Sequence, residues 1–258
     1  MGLRAVNRAN ISILKIQVMK SQVLLKAIVL FALPAMLFFA ACDPTAIVGE
    51  GGLITENRNI DDFDRLDISI PGEVHVTKGQ TFKVVVKAEE TLMPFLETEL
   101  HAGKLHIYFS HNVRDVDGLE VEITMPELNQ VQVSGSAHLH TDGVFSGSDL
   151  DLGLSGSGRI HMDDIDFEDI SANVSGSGSL ELQGVADAIN AQVSGSGKID
   201  AVQCPVQTAE AHVSGSGEIR LQVVKMLKAY VSGSGDVWYE GSPAVEEHVS
   251  GSGRVRKL

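Results

Sequence analysis

The chain has 258 residues, with 34 acidic residues against 20 basic, a formal net charge of −14, 26 glycines and two cysteines. So acidic a protein repels nucleic acid and anionic lipid, and neither is an expected partner. Two cysteines, one of them in a targeting segment, exclude a disulfide-built scaffold and a zinc site made of thiolates.

Residues 1–41 hold Arg4, Arg8, Lys15, Lys20 and Lys26 and no acid, so the rest of the chain carries 34 acids against 15 bases, a charge of −19. Residues 27–41 are uncharged and mostly apolar, but fewer than the roughly 20 apolar residues a spanning helix needs, so residues 1–41 read as a signal peptide. The end of this segment, Phe39-Ala40-Ala41-Cys42, resembles the lipobox of bacterial lipoproteins, with Phe39 in place of the usual aliphatic residue. That resemblance implies cleavage before Cys42 and its acylation, palmitate included. The membrane would then be a partner through a lipid anchor, since several acyl chains hold where one is marginal. The expected address is the bacterial cell envelope, at the outer membrane or cell surface, although Asp43 leaves the leaflet open. Met19-Lys20-Ser21 makes a second conventional start for the leader. Residues 42–52 have no sustained period and end in glycines, which predicts a flexible tether.

Residues 53–127 are rich in alternating segments: LDISI, EVHVT, FKVVVKA, LHIYF and LEVEITM, separated by Pro71-Gly72, Lys78-Gly79-Gln80 and Ala102-Gly103-Lys104. Each reads as a strand. A short helix is predicted over residues 89–100. The stretch Ile68 to Val76 is similar to Val131 to Leu139, so this part is predicted to be degenerate coils that cap a C-terminal stack.

From residue 128 the chain repeats. A pentad appears as VSGSA at 133, LSGSG at 154, and VSGSG at 174, 193, 213, 231 and 249, at steps of 18 to 21 residues. Flanking residues alternate apolar and polar, the period of a strand with one buried face. Aligned copies give inward columns: Val131, Leu152, Ala172, Ala191, Ala211, Ala229 and the exception Glu247; then Val133, Leu154, Val174, Val193, Val213, Val231 and Val249; then Leu139, Ile160, Leu180, Ile199, Ile219, Val237 and Val255. A unit of this length cannot enclose a core alone, but stacking it in parallel at about 4.8 Å makes one continuous apolar column. Gly-Ser-Gly recurring in register reads as a stacked corner. The fold class expected is therefore all-β: a right-handed parallel β-helix (solenoid) of about seven C-terminal coils over residues 128–258, with one conspicuous pentad per coil in place of a hexapeptide repeat.

The order Phe63-Asp64-Arg65-Leu66, Ile70-Pro71-Gly72-Glu73-Val74-His75-Val76, Gly79, the strand from Lys83 to Ala88, Leu105-His106-Ile107, and Ile123-Thr124-Met125-Pro126-Glu127-Leu128 leading into the pentads resembles the putative auto-transporter adhesin, head GIN domain family. The resemblance covers roughly residues 58–253 of the sequence. It implies a lipid-anchored or secreted β-helix and adhesion, with no catalytic residues to carry over.

The serines of the pentads lack a Gly-x-Ser-x-Gly setting and recur without a matched histidine and acid, so they serve structure. No catalytic residue and no cofactor is expected. Asp163, Asp164, Asp166, Glu168 and Asp169, with Asp149 and Asp151 one coil earlier, could bind calcium or abstract a proton, but no Asp-x-Asp-x-Asp-Gly loop orders them and a solvated acidic turn is the favoured reading. His138, His140 and His161 come from adjacent coils without an evident third ligand, so no metal site is expected. The last coils carry an outward column His212, Tyr230, His248 and another of Arg220, Trp238, Arg256, with Tyr239 beyond. These aromatics either lock the ladder by stacking or bind a glycan or protein partner. The exposed final strand is either blunted by Arg254, Arg256 and Lys257 or stacks end to end on a second molecule. The expected function is a non-enzymatic, lipid-anchored envelope protein for binding, adhesion or scaffolding. The alternatives are a polysaccharide lyase or hydrolase, and a self-assembling structural element.

Overall fold

A computed structural model describes residues 45–258. The expected signal peptide, the alternative start at Met19 and the lipobox-like segment with Cys42 lie outside the described residues.

The described chain is an all-β solenoid of about six turns. Its turns are delimited by the seven pentads, which stack in one column: Ser134 pairs with Ser155, Ser155 with Ser175, and so on through Ser194, Ser214, Ser232 and Ser250. Every one of these pairings is parallel, as a coil that returns on itself requires. Long strands such as Arg159–Gly176, Ser179–Gly195 and Lys198–Gly215 run almost the whole way round each turn. Within Arg159–Gly176 the buried–exposed alternation slips at Asp163-Asp164 and again at Glu168-Asp169. With the glycine corner, each turn therefore has three corners and three flat faces.

The inward columns are buried as their period demands. Leu152, Ala172, Ala191, Ala211 and Ala229 are fully enclosed, and so are Ile160, Leu180, Ile199, Ile219 and Val237. Small alanines on one face and larger aliphatics on another share the narrow core. At the third corner the backbone adopts positive φ: Gly195, Gly215 and Gly233 lie at 114°, 115° and 121°. The N–H groups of Ser216, Ser234 and Ser252 donate to the carbonyls of Gly195, Gly215 and Gly233, each at 2.8 Å, so the ladder continues unbroken round the bend.

The solenoid begins earlier than residue 128. Arg65–Ser69 and Gly72–Lys78 form a coil beneath the first pentad coil, with Leu66 opposite Val131, Ile68 opposite Val133 and Val74 opposite Leu139. The similarity of Ile68–Val76 to Val131–Leu139 thus holds with a shift of two residues. Below this coil lie Lys104–Phe109 and Glu120–Met125, again parallel. Three antiparallel pairings close the end: Leu53–Arg58 with Lys83–Glu89, Lys83–Glu89 with Glu120–Met125, and Leu96–His101 with Lys104–Phe109.

The structure corrects two expectations. The helix over residues 89–100 is a 3-10 turn, Met93–Phe95, followed by the strand Leu96–His101. Leu96 and Leu100 have helical spacing, but Ala102 and Gly103 both take positive φ, 48° and 77°, the tight turn that folds this segment into a hairpin. The tether over residues 42–52 is docked from Ile47 onward: Ile47–Val48 pairs in parallel with Val113–Arg114, and the Thr91 hydroxyl bonds to the carbonyls of Val48 and Glu50.

Candidate functional site

The face that leads into each pentad presents two outward columns, because alternate residues of a strand share a side. One reads Gln132, Gly153, Asn173, Gln192, His212, Tyr230, His248, and the other Gln130, Asp151, Ser171, Asn190, Glu210, Lys228, Glu246. Hydrogen bonds tie the columns together. The Gln132 amide donates to Asp151 at 3.5 Å and the Asn173 amide to the Ser171 hydroxyl at 3.3 Å. His212 Nε2 meets Glu210 Oε1 at 2.7 Å, and His248 Nε2 meets Glu246 Oε1 at 3.2 Å. Gly153 interrupts its column because the Gln132 amide lies where a side chain would stand, its Oε1 1.9 Å from the position of a Cβ.

Coil spacing stacks the three rings of the first column. His212 and Tyr230 lie 4.6 Å apart at 6° between planes, and Tyr230 and His248 lie 5.1 Å apart at 12°. The ring faces therefore cover one another, and the ladder shows its partner ring edges: the tyrosine hydroxyl and imidazole nitrogens. A shallow groove of about 520 Å³ runs alongside, bordered by Gln192, His212, Tyr230 and His248. Beside it, at the corner before this face, lies a longer open trough of about 860 Å³. Asp149, Asp151, Asp169, Asn190, Thr208 and Glu210 line it, with Lys228 near its far end. Its hollow follows from small residues at the corner, Ala188 and Ala209, where other coils carry Asp169 and Ile170.

The aromatic residues singled out from the sequence divide among three environments. His212, Tyr230 and His248 form the stack. Trp238 stands round the glycine corner on the next face, between Arg220 and Arg256 in register. Arg220 turns to Glu218, and the indole Nε1 of Trp238 is buried without a hydrogen-bond partner. Tyr239, placed in this patch by adjacency alone, packs against the core instead, since the residue after an outward tryptophan points inward. The acidic run divides as well. Asp169 joins Asp149 in the trough, Asp164 sits at positive φ in the bend, and Asp163 faces the histidines of the second face. The trough was missed in the sequence because its lining is spread over successive coils, one to three polar residues from each, none of which forms a motif.

A three-sided parallel solenoid belongs to the class of repeat proteins in which each coil packs only on its neighbours. The chain belongs to the family described as putative auto-transporter adhesin, head GIN domain, whose model matches residues 62–243. Solved structures with the same fold include a putative adhesin from Bacteroides fragilis, 21% identical, with a TM-score of 0.77, covering 83% of this chain and 100% of that one. A putative lipid binding protein from Parabacteroides distasonis is 24% identical, with a TM-score of 0.72 and the same coverage. A putative adhesin from Parabacteroides merdae is 21% identical, with a TM-score of 0.68, covering 83% of this chain and 99% of that one. Among curated proteins no sequence match to the chain is found.

Proposed function

We propose that the protein is a non-enzymatic adhesion module of the bacterial cell envelope, held at a membrane through lipid on Cys42, whose pentad-leading face binds an extended glycan. The observation that carries this reading is the pair of register-locked columns, with the trough beside them. Successive coils, about 4.8 Å apart, contribute amides, carboxylates, hydroxyls and imidazole edges to a surface too rigid to lose much entropy on binding. A hydroxyl-rich polymer can meet donors and acceptors in that spacing. Family membership and the names of the similar structures support adhesion as the purpose of such a face. A catalytic reading is less well served. The trough's carboxylates face one lining cation, Lys228, where a polysaccharide lyase needs bases clustered around the substrate's acid.

The test is a glycan array probed with the purified protein and with Glu210→Gln, Tyr230→Ala and Trp238→Ala. Glu210→Gln and Tyr230→Ala are expected to weaken retention at least fivefold, and Trp238→Ala to leave it unchanged. Retention that depends on Trp238 alone, absence of any retained glycan, or shortening of the glycan during incubation overturns the reading.

A further inference from the structure

The second face of the solenoid carries a histidine column that the adhesion reading does not use. His75 lies opposite His140, His140 opposite His161, and His161 opposite Glu181. We propose that His140, His161 and Asp163 form a binding site for one divalent first-row transition ion, zinc being the natural occupant of such a donor set. The sequence shows the two histidines but hides the third ligand, and the backbone supplies it. Asp163 follows His161 by two residues on the same outward side, and the ladder then slips between Met162 and Ile165. Asp164 takes φ 53° in that slip. The Asp163 N–H donates to the hydroxyl of the buried Thr141 at 3.2 Å, which holds the bend against the neighbouring coil.

The resulting geometry gathers three donors. Asp163 places one carboxylate oxygen 3.0 Å from His161 Nε2 and the other 3.9 Å from His140 Nε2. Ligand atoms of all three residues lie within 4.8 Å of one another. Ligands on a tetrahedral zinc, at 2.0–2.1 Å each, sit about 3.3 Å apart, so small side-chain rotations close the shell. The two imidazoles already stack, with centroids 5.2 Å apart.

A second observation points to a cation. Both ring nitrogens of His161 face carboxylates, Nδ1 meeting Glu181 Oε2 at 3.1 Å and Nε2 meeting Asp163 Oδ1 at 3.0 Å. A neutral imidazole has one N–H. With Nδ1 donating to Glu181, Nε2 turns a lone pair toward Asp163, with the Gln183 amide 3.5 Å away, and either a second proton or a metal ion between Nε2 and the carboxylate satisfies both. Glu181 then acts as the outer carboxylate that fixes the tautomer of a metal-bound histidine. Two nitrogens and one oxygen favour zinc, nickel or copper over calcium or magnesium. The side chains of His140, His161 and Asp163 remain 45%, 25% and 32% exposed, which leaves an open coordination position for water or a partner's donor.

The experiment titrates metal-stripped protein with cobalt(II), read by its visible absorption, followed by competition with zinc. One equivalent with the absorption of a low-symmetry nitrogen–oxygen site is expected, and displacement by zinc. His161→Ala and Asp163→Asn are each expected to weaken binding at least tenfold, and Glu181→Gln about ten- to a hundredfold. The pair His212→Ala and His248→Ala is expected to leave binding unchanged. Far-UV circular dichroism checks each variant. If His161→Ala fails to fold, Glu181→Gln, which keeps all three ligands, carries the comparison. The proposal is overturned if the wild type takes up no cobalt or zinc, if affinity survives Asp163→Asn or Glu181→Gln unchanged, or if the absorption follows His212 and His248. It is equally overturned if nuclear magnetic resonance shows His161 doubly protonated and indifferent to zinc.

Discussion

Gly135 and Gly215 occupy the same corner of different coils, yet alanine at the two positions meets different obstacles. Both adopt positive φ, 93° and 115°. A Cβ at Gly135 meets nothing within 4 Å, whereas a Cβ at Gly215 falls 2.6 Å from the carbonyl oxygen and 3.2 Å from the nitrogen of Gly195 in the coil beneath. Gly135→Ala therefore carries only the backbone term, about 1–2 kcal/mol for an L-residue in this region. Gly215→Ala adds an overlap with main chain that no side-chain rotation relieves, a further ~1–3 kcal/mol. Urea unfolding of both variants, with the exposed Ser216→Ala as a control expected within about 0.5 kcal/mol of wild type, measures the two contributions separately. Because each coil is stabilised chiefly by its neighbours, amide exchange should accelerate most in the coils that touch residue 215. Equal costs at the two glycines, or a Gly215→Ala protein as stable as wild type, would refute the stacked corner.

Buried and uncovered residues give two further expected outcomes. Cys204 is buried, and desolvation pushes its thiol from 9.0 up to about 12. The folded state thus keeps the proton that the unfolded chain releases above pH 9, so stability falls as pH rises from there toward 12, relative to Cys204→Ala, by up to about 1.4 kcal/mol per pH unit. Parallel pH profiles for the two proteins in urea titrations would contradict this, as would rapid labelling of the native thiol. In the coil of the last pentad, Glu247 stands above Ala229 where each earlier pentad coil has an apolar residue, flanked by Val245 and Val249 at 38% and 43% exposure. A carboxylate there opposes a second copy stacking end to end. Wild type is expected to sediment as a monomer and Glu247→Leu to dimerise, and dimers of the wild type would show that the charge does not guard the edge.

Much of the architecture was legible because it repeats. Val174 and Val193 can be placed inward and Asn173 and Gln192 outward from alternation alone, and all seven pentads keep that register. Legibility failed where a local pattern had two meanings. Leu96 and Leu100 have the spacing of a helix face, and Ala102-Gly103 decides for a hairpin only through its backbone angles. Ile47-Val48 carries no period of its own and becomes a strand because Val113-Arg114 offers an edge.

The amino-acid sequence alone determined that this chain is a stack of acidic coils with glycine corners, since a period of 18 to 21 residues admits no other economical burial of its apolar columns. Only the tertiary structure decided what the outward residues form. Rings at 212, 230 and 248 stack face to face, Tyr239 packs against the core, and Asp163 reaches the histidines of two coils. The physical reason is that inward positions obey a period written along the chain, whereas contacts between outward side chains depend on corner geometry and on which coil lies directly above.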